Sequence, residues 1–169
     1  RPARMSETCV GVLQQPFDEK GFHFNKPFLR KEVFWSGELG GKPCRLLYNK
    51  FPFAQLHGLL VIDPEQNKPQ WLSEVDHRTV WAIAAELGEA LGGMGFGYNA
   101  YGAFSSVNHQ HLQMFVRTEG AYPVEHSRWQ HNGGEQVYPI ECRRFEAPDA
   151  AWEALQQQHA SNRPYNLLY

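Results

Sequence analysis

The sequence has no apolar run approaching the roughly 18 to 20 residues that a membrane-crossing helix needs, and its first residues do not follow the basic, apolar, small-residue order of a secretory leader. These two absences lead us to expect a soluble, cytoplasmic protein with no membrane partner. Cysteine is scarce. Cys9, Cys44 and Cys142 are odd in number, far apart and without a C-x-x-C pair, which argues against a disulfide framework and a familiar zinc knuckle and leaves reduced, mostly buried thiols as the expectation. An excess of one charge is also missing: 16 Lys and Arg stand against 18 Asp and Glu, a net charge of -2. There is thus no basic stripe for a nucleic-acid backbone and no acidic tail, and an anionic ligand has to be met by a local site. Internal repeats and low-complexity segments are absent too.

What is present is enough for one core and too little for two. At 169 residues and 42% hydrophobic content, residues 1–169 read as a single domain, with residues 1–28 as an irregular arm. The chain begins at Arg1 instead of Met and stops directly after an apolar stretch, as a fragment of a longer protein would. After the arm, a strand is expected near Arg30 to Trp35. The Gly-Gly turn of "GELGGKPCRLLYN" predicts a hairpin leading into a strand over Cys44 to Tyr48. "HGLLVID" predicts a buried strand near Gly58 to Ile62, ended by Pro64. In "SEVDHRTVWAIAAELGEALGG", Ser73 caps a helix whose first turn is acidic and whose Val80, Ile83, Ala84, Leu87 and Leu91 share one face; Gly92 and Gly93 end it. "FGYNAYGAF", "VNHQHLQMFVR" and "GEQVYPIECRRFE" read as strands. A second helix starts around Pro148 and runs through "DAAWEALQQQHA", and "YNLLY" reads as a closing strand. The fold class is α+β, a mostly antiparallel sheet with helices packed on it.

The most informative stretch is "GAFSSVNHQHLQMF", Gly102 to Phe115. In an extended chain, His109, His111 and Gln113 share one face and Gln110, Leu112 and Met114 the other. Two imidazoles and an amide on one face are compatible with a solvated sheet surface. They also supply two zinc ligands, but a zinc site needs three or four, and no Cys or Glu stands at a recognisable spacing, so no metal is expected. Phosphoryl chemistry is favoured by what precedes them: small Gly102, Ala103, Ser105 and Ser106 allow close backbone approach and offer hydroxyl donors to a phosphate.

On these residues the sequence resembles the histidine-triad superfamily, and within this HIT-like group its transferase and phosphorylase branch, in which glutamine replaces the third histidine. The motif is H-x-H-x-Q at His109 to Gln113. "YNKFPFAQLHGLLVID", "GYNAYGAFSSVNHQHLQ", "VLQQPFDEKGFHFNK", "YPVEHSRW" and "YNLLY" look like segments of the GDP-hexose phosphorylases, so the resemblance spans most of Gly11 to Tyr169. Diadenosine tetraphosphate phosphorylases are near relatives and the galactose-1-phosphate uridylyltransferases more remote ones. The resemblance implies a nucleotidyltransferase that cleaves the pyrophosphate bond of a nucleotide-sugar, with inorganic phosphate as acceptor. His111 would be the nucleophile that forms a nucleotidyl-histidine, His109 would orient or buttress it, Gln113 would donate its amide to a nonbridging phosphate oxygen, and His57 would sit beside them; His109 and His57 have a structural, hydrogen-bonding histidine as the alternative. The chemistry agrees: neutral imidazole is nucleophilic near pH 7. Glutamine supplies no proton, which suits a phosphate leaving group that departs as a stable anion.

Asn49 is a candidate ribose contact, or else a turn residue after a strand. Ser105, Ser106 and Asn108 are candidate phosphate contacts, and Lys26, Lys50 and the Arg143-Arg144 pair candidate charge partners, each with ordinary surface polarity as the alternative. Phe22, Phe24 and Phe28 either stack on a base or belong to the core. The paired cysteines that bind a structural zinc in the uridylyltransferases are missing, so neither zinc nor any other cofactor is expected. Leu56 stands where simple triad proteins often have glycine. The resemblance also allows a homodimer. The competing readings are a dinucleoside polyphosphate phosphorylase, a hydrolase using water, and a nucleotide-binding module without turnover, for which an intact His111 has no use.

Overall fold

The structure, a computed structural model, describes residues 12–117, 120 and 122–169; Cys9 and the first part of the expected arm lie outside them. The chain enters as an irregular segment and then a short 3-10 helix over Pro27–Glu32, whose first position is proline and whose Leu29 is buried. This helix takes the place of the start of the strand expected from Arg30. Strand β1 begins only at Val33 and runs Val33–Leu39. β2 follows at Lys42–Tyr48, with Leu39 paired to Lys42 across a two-residue turn. Gly40 and Gly41 adopt φ of 54° and 70°, the left-handed pair that such a hairpin turn requires and that glycine adopts without a Cβ clash.

β3 occupies Gly58–Ile62 and is buried throughout, as its continuous apolar run predicts. Helix α1 spans Glu74–Leu91, β4 Met94–Asn99, β5 Leu112–Val116, α2 Pro148–Ala160 and β6 Asn166–Leu168. The six strands form one sheet in the order β1-β2-β3-β5-β4-β6, and every pairing is antiparallel. The α+β class stands as expected from the sequence.

Both helices cover one face. There Leu60, Ile62, Phe96, Tyr98, Leu112 and Met114 pack with Val80 and Ile83 of α1 and Leu155 of α2. The opposite face carries a smaller cluster, Leu47, Leu59 and Val61, against which Phe24 and Val33 pack. This second face, roofed in part by the entering segment, is where the histidines lie.

Further expectations need correction, the strand read over "FGYNAYGAF" among them, since it ends at Asn99. The ladder of "VNHQHLQMFVR" covers only Leu112–Val116, because pairing with β3 ends at Leu60↔Leu112 and pairing with β4 at Gly97↔Gln113; His109 and His111 precede the strand. Residues 134–146 form no strand, only an isolated bridge between Gln136 and Trp129. Val137 and Ile140 in that stretch are exposed, and Pro139 has no N–H to give to a ladder. Leu91, placed on the buried face of α1 by periodicity, is exposed in its last turn, whereas Asp76 and His77 in its first turns are buried.

Candidate active site

The site is built where strand pairing runs out. Leu112 points into the helix-side core, so its neighbours in the alternation face the other way. The His111 ring lies 4.9 Å from Phe24, which belongs to the cluster on the helix-free face, and Gln113 meets His57 on the same side. Gln110 points oppositely, donating to Trp71 O and to Asp76 Oδ2 near the start of α1. The alternation expected of a strand is thus kept by a segment that has no strand ladder.

His111 is buried, and its Nδ1 lies 2.7 Å from the carbonyl oxygen of His109. A carbonyl only accepts, so Nδ1 carries the proton and Nε2 keeps its lone pair. Burial pushes the imidazolium down to about 4, against the opposing pull of that carbonyl, so the ring is neutral at pH 7. His109 is fixed in the other tautomer, its Nδ1 accepting the Phe24 N–H at 3.0 Å. Burial, followed by the neighbouring charges of His111, His23 and Arg45, pushes it down to about 4 as well. Its ring stacks on Phe24 and meets Phe17 and His23 edge-on, an aromatic roof that excludes water from the pair.

Gln113 is oriented by its neighbours. The Phe53 N–H donates to His57 Nδ1 at 3.3 Å, which leaves the His57 proton on Nε2, 2.5 Å from Gln113 Oε1. Asn49 Nδ2 lies 3.0 Å from that same Nε2, two donors side by side, and donates to the same Gln113 oxygen at 3.2 Å. With two donors on Oε1, the Gln113 carboxamide cannot flip without setting donor against donor, and its NH2 is turned away from them. No acceptor for that NH2 is found among the described residues. The arrangement therefore offers a neutral imidazole whose Nε2 has no hydrogen-bond partner among the described residues and, two residues further along the same face, an amide donor held by His57 and Asn49. Such a pair can attack a phosphorus and stabilise the charge on its nonbridging oxygens.

A family model described as GDPGP1-like, N-terminal domain, matches residues 2–115, two thirds of the chain, and takes in His57, His109, His111 and Gln113. The chain belongs to that family. GDP-D-glucose phosphorylase 1 of Danio rerio is 36% identical over 100 residues, 59% of this chain and 29% of the relative; the chain thus spans less than a third of that relative's length. Yeast Ap4A phosphorylase Apa2 in complex with Ap4A shares the fold, with a TM-score of 0.51 at 21% identity over 76% of this chain and 54% of the yeast chain. The same yeast protein in complex with AMP gives 0.50 at 24% identity over 76% and 53%.

In this GDPGP1-like chain the other residues picked from sequence are divided. Asn49 joins the cluster, but its Oδ1 also accepts the Phe51 N–H at 2.9 Å, so it serves as a turn residue as well. Asn108 is spent structurally, its Oδ1 accepting the Gln70 N–H and its Nδ2 donating to Pro16 O. Ser105 donates to Val107 O, while Ser106 stands exposed. Lys26 turns onto the carbonyls of Glu19 and Lys20, and Lys50 pairs with Glu32. Arg143 and Arg144 pair with Glu141 and Glu146. Phe24 is part of the roof, whereas Phe22 and Phe28 are exposed beside it. Leu56 holds φ of 50°, in the left-handed region that glycine occupies more readily. Among the described residues no cluster of three or more His, Cys, Asp and Glu side chains is placed to hold a metal ion. Gln70 escaped the sequence reading: in "KPQWL" it has no periodic or motif signal, yet it is 1% exposed and bonded to His111.

Proposed function

We propose that the protein is a nucleotidyltransferase of the phosphorylase kind, acting on a GDP-hexose through His111. The observation that carries this reading is the tautomer arrangement, a neutral imidazole with Nε2 free beside a Gln113 amide whose oxygen is occupied by His57 and Asn49. The likeness to GDP-D-glucose phosphorylase 1 supports the choice of substrate.

In the first step the Nε2 lone pair attacks the α-phosphorus and the bond to the bridging oxygen breaks. Hexose 1-phosphate leaves with that electron pair, and guanylyl-histidine remains. The leaving group needs no proton, so a glutamine at position 113 suffices there, and its NH2 stabilises the nonbridging oxygens in the transition state. In the second step an oxygen of inorganic phosphate attacks the same phosphorus, the P–N bond breaks, GDP forms and His111 regains its lone pair. His109 and the Phe17, His23 and Phe24 roof keep the imidazole dry and neutral.

The test is product analysis by phosphorus NMR with GDP-hexoses, other nucleotide-sugars and diadenosine tetraphosphate, each with and without inorganic phosphate, beside a His111→Asn control. Phosphate-dependent release of GDP and hexose 1-phosphate is expected, falling by on the order of 10⁴-fold in the control. Preferential turnover of diadenosine tetraphosphate would instead favour a dinucleoside polyphosphate as substrate. Nucleotide binding with no turnover of any substrate would overturn the enzyme reading.

A further inference from the structure

The nucleophile's backbone presents a problem that the sheet does not solve. Ladder pairing ends at Leu112 on the β3 side and at Gln113 on the β4 side, so His111 has no strand neighbour for its N–H and C=O. Its surroundings are buried, and an unmatched peptide group there is destabilising. One side chain answers both needs. Gln70 Oε1 accepts the His111 N–H at 2.9 Å, and its Nε2 donates to His111 O at 3.1 Å and to Asn99 O, at the end of β4, at 2.9 Å. A carboxamide carries the donor and acceptor of a peptide unit, so Gln70 does for His111 what a neighbouring strand would do. The lacing continues on either side. Gln110 N–H donates to Lys68 O at 2.8 Å, Gln110 Nε2 to Trp71 O at 2.9 Å, and Gln70 N–H to Asn108 Oδ1 at 2.9 Å.

We propose that Gln70 is the positioning residue of the nucleophile, its carboxamide standing in for a strand's peptide unit and thereby fixing the direction in which His111 Nε2 points. The proposal rests on the reading of His111 as nucleophile. The link from backbone to ring is direct: the His111 ring is held by the carbonyl of His109, two residues back in its own chain, so any drift of the 109–111 backbone rotates Nε2 off its line of attack. A misplacement of about 1 Å costs on the order of 10²-fold in rate. Substrate contacts elsewhere are untouched, so the loss belongs to kcat.

The test uses the full chain as wild type, Gln70→Met and Gln70→Glu, with GDP-glucose and phosphate as reactants. Rates are expressed per folded molecule, counted by near-UV circular dichroism. Gln70→Met keeps length and removes both kinds of hydrogen bond; kcat is expected to fall about 10²-fold with KM within about threefold of wild type. Gln70→Glu carries its own internal rescue. Ionised, it sets a carboxylate against the carbonyl oxygens of His111 and Asn99; protonated, it regains one donor and one acceptor, and burial favours the protonated form. The ratio of its kcat to that of wild type is therefore expected to rise as pH falls from about 8 to about 6, a signature that a merely structural role does not produce per folded molecule. Should Gln70→Met fail to fold, this ratio decides alone. An unchanged kcat in Gln70→Met, or a pH-independent ratio in Gln70→Glu, would overturn the proposal. If wild type turns over no substrate, the phosphorylase reading fails, and nitrogen-15 spectra of the His111 side chain decide the positioning role. A ring held as the Nδ1–H tautomer in wild type and mixed in the variants supports it; the same tautomer in all three refutes it.

Discussion

At the scale of single residues, the two histidines ahead of β5 make the site sensitive to acid in a particular window. Burial pushes His111 and His109 down to about 4, below the ordinary 6.5. The folded state thus favours the neutral rings, and their contribution to stability is complete above pH 6.5. It is lost as pH falls from there through about 4, where the unfolded chain takes up protons that the folded one refuses. Taken singly, each ring accounts for on the order of 3 kcal/mol over that window, and because the charge of His111 lowers His109 the two do not simply add. Urea unfolding at about pH 7.5 and about pH 5 is expected to show the loss, and His111→Asn to flatten the slope. With His111 as the proposed nucleophile, the acid limb of kcat/KM is expected below pH 5 instead of near 6.5, since its ring stays neutral until then; a midpoint near 6.5 would contradict the buried geometry. The residues themselves were legible in H-x-H-x-Q. The tautomers of His109, His57 and His111 were not, because these are set by Phe24, Phe53 and the His109 carbonyl in turn, partners that only the fold places.

At the scale of elements, α1 is tied to the histidine segment through its own cap. Ser73 Oγ accepts the Asp76 N–H at 3.1 Å while Asp76 Oδ2 accepts from Ser73 Oγ and from Gln110 Nε2. Asp76 Oδ1 lies 2.7 Å from Lys68 Nζ, which also meets Asp63 at 2.8 Å. Burial alone would raise the Asp76 carboxyl, but Lys68, Ser73 and Gln110 hold it below its ordinary value. Removing the cap by Ser73→Ala is expected to cost about 1 kcal/mol. Asp76→Ala keeps the backbone N–H that Ser73 Oγ caps but removes the carboxylate that answers Ser73, strips Lys68 of one of two carboxylates and frees Gln110, so about 3 kcal/mol is expected. Chemical denaturation of the two variants checks the order; equal losses would show that the Lys68 and Gln110 contacts add nothing to the capping pair. The cap, the helix and β3 were readable because Ser73, the 3.6-residue period and the run Gly58 to Ile62 are local signals. Residues 134–146 misled because their β-branched and aromatic residues read as a strand, whereas Pro139 gives no N–H to a ladder and Val137 and Ile140 stay exposed. The start of β5 misled because it is decided by where the pairing with β3 and β4 stops.

At the scale of the molecule, the family match ends at Phe115, inside β5, yet the core is closed by residues far beyond it. Leu155 and Ala151 of α2 are 4% exposed, and Trp152, Tyr165 and Tyr169 pack against the same core. Tyr169 exchanges backbone hydrogen bonds with Phe96 at 2.8 and 3.0 Å, extending the β6 pairing that keeps β4 from being an open edge. Its hydroxyl meets His77 Nδ1 at 2.6 Å, while His77 Nε2 faces Pro148 O at 3.0 Å. Loss of Trp152, Leu155, Tyr165 and Tyr169 removes roughly 1.5–3 kcal/mol per large side chain, a total comparable with the roughly 5–15 kcal/mol that holds a domain folded. A chain ending at residue 146 is therefore expected to lose its near-UV circular dichroism and to run as an expanded or aggregated species on gel filtration. Tyr169→Phe, which gives up only the bond to His77, is expected to stay folded at a cost of about 1 kcal/mol. A folded, monodisperse truncation would mean that β4 and β5 hold the site without α2 and β6. The exposed Phe96 and Tyr98 face and the unpaired β4 edge argue against that outcome, because the strand left open is the one beside Gln113.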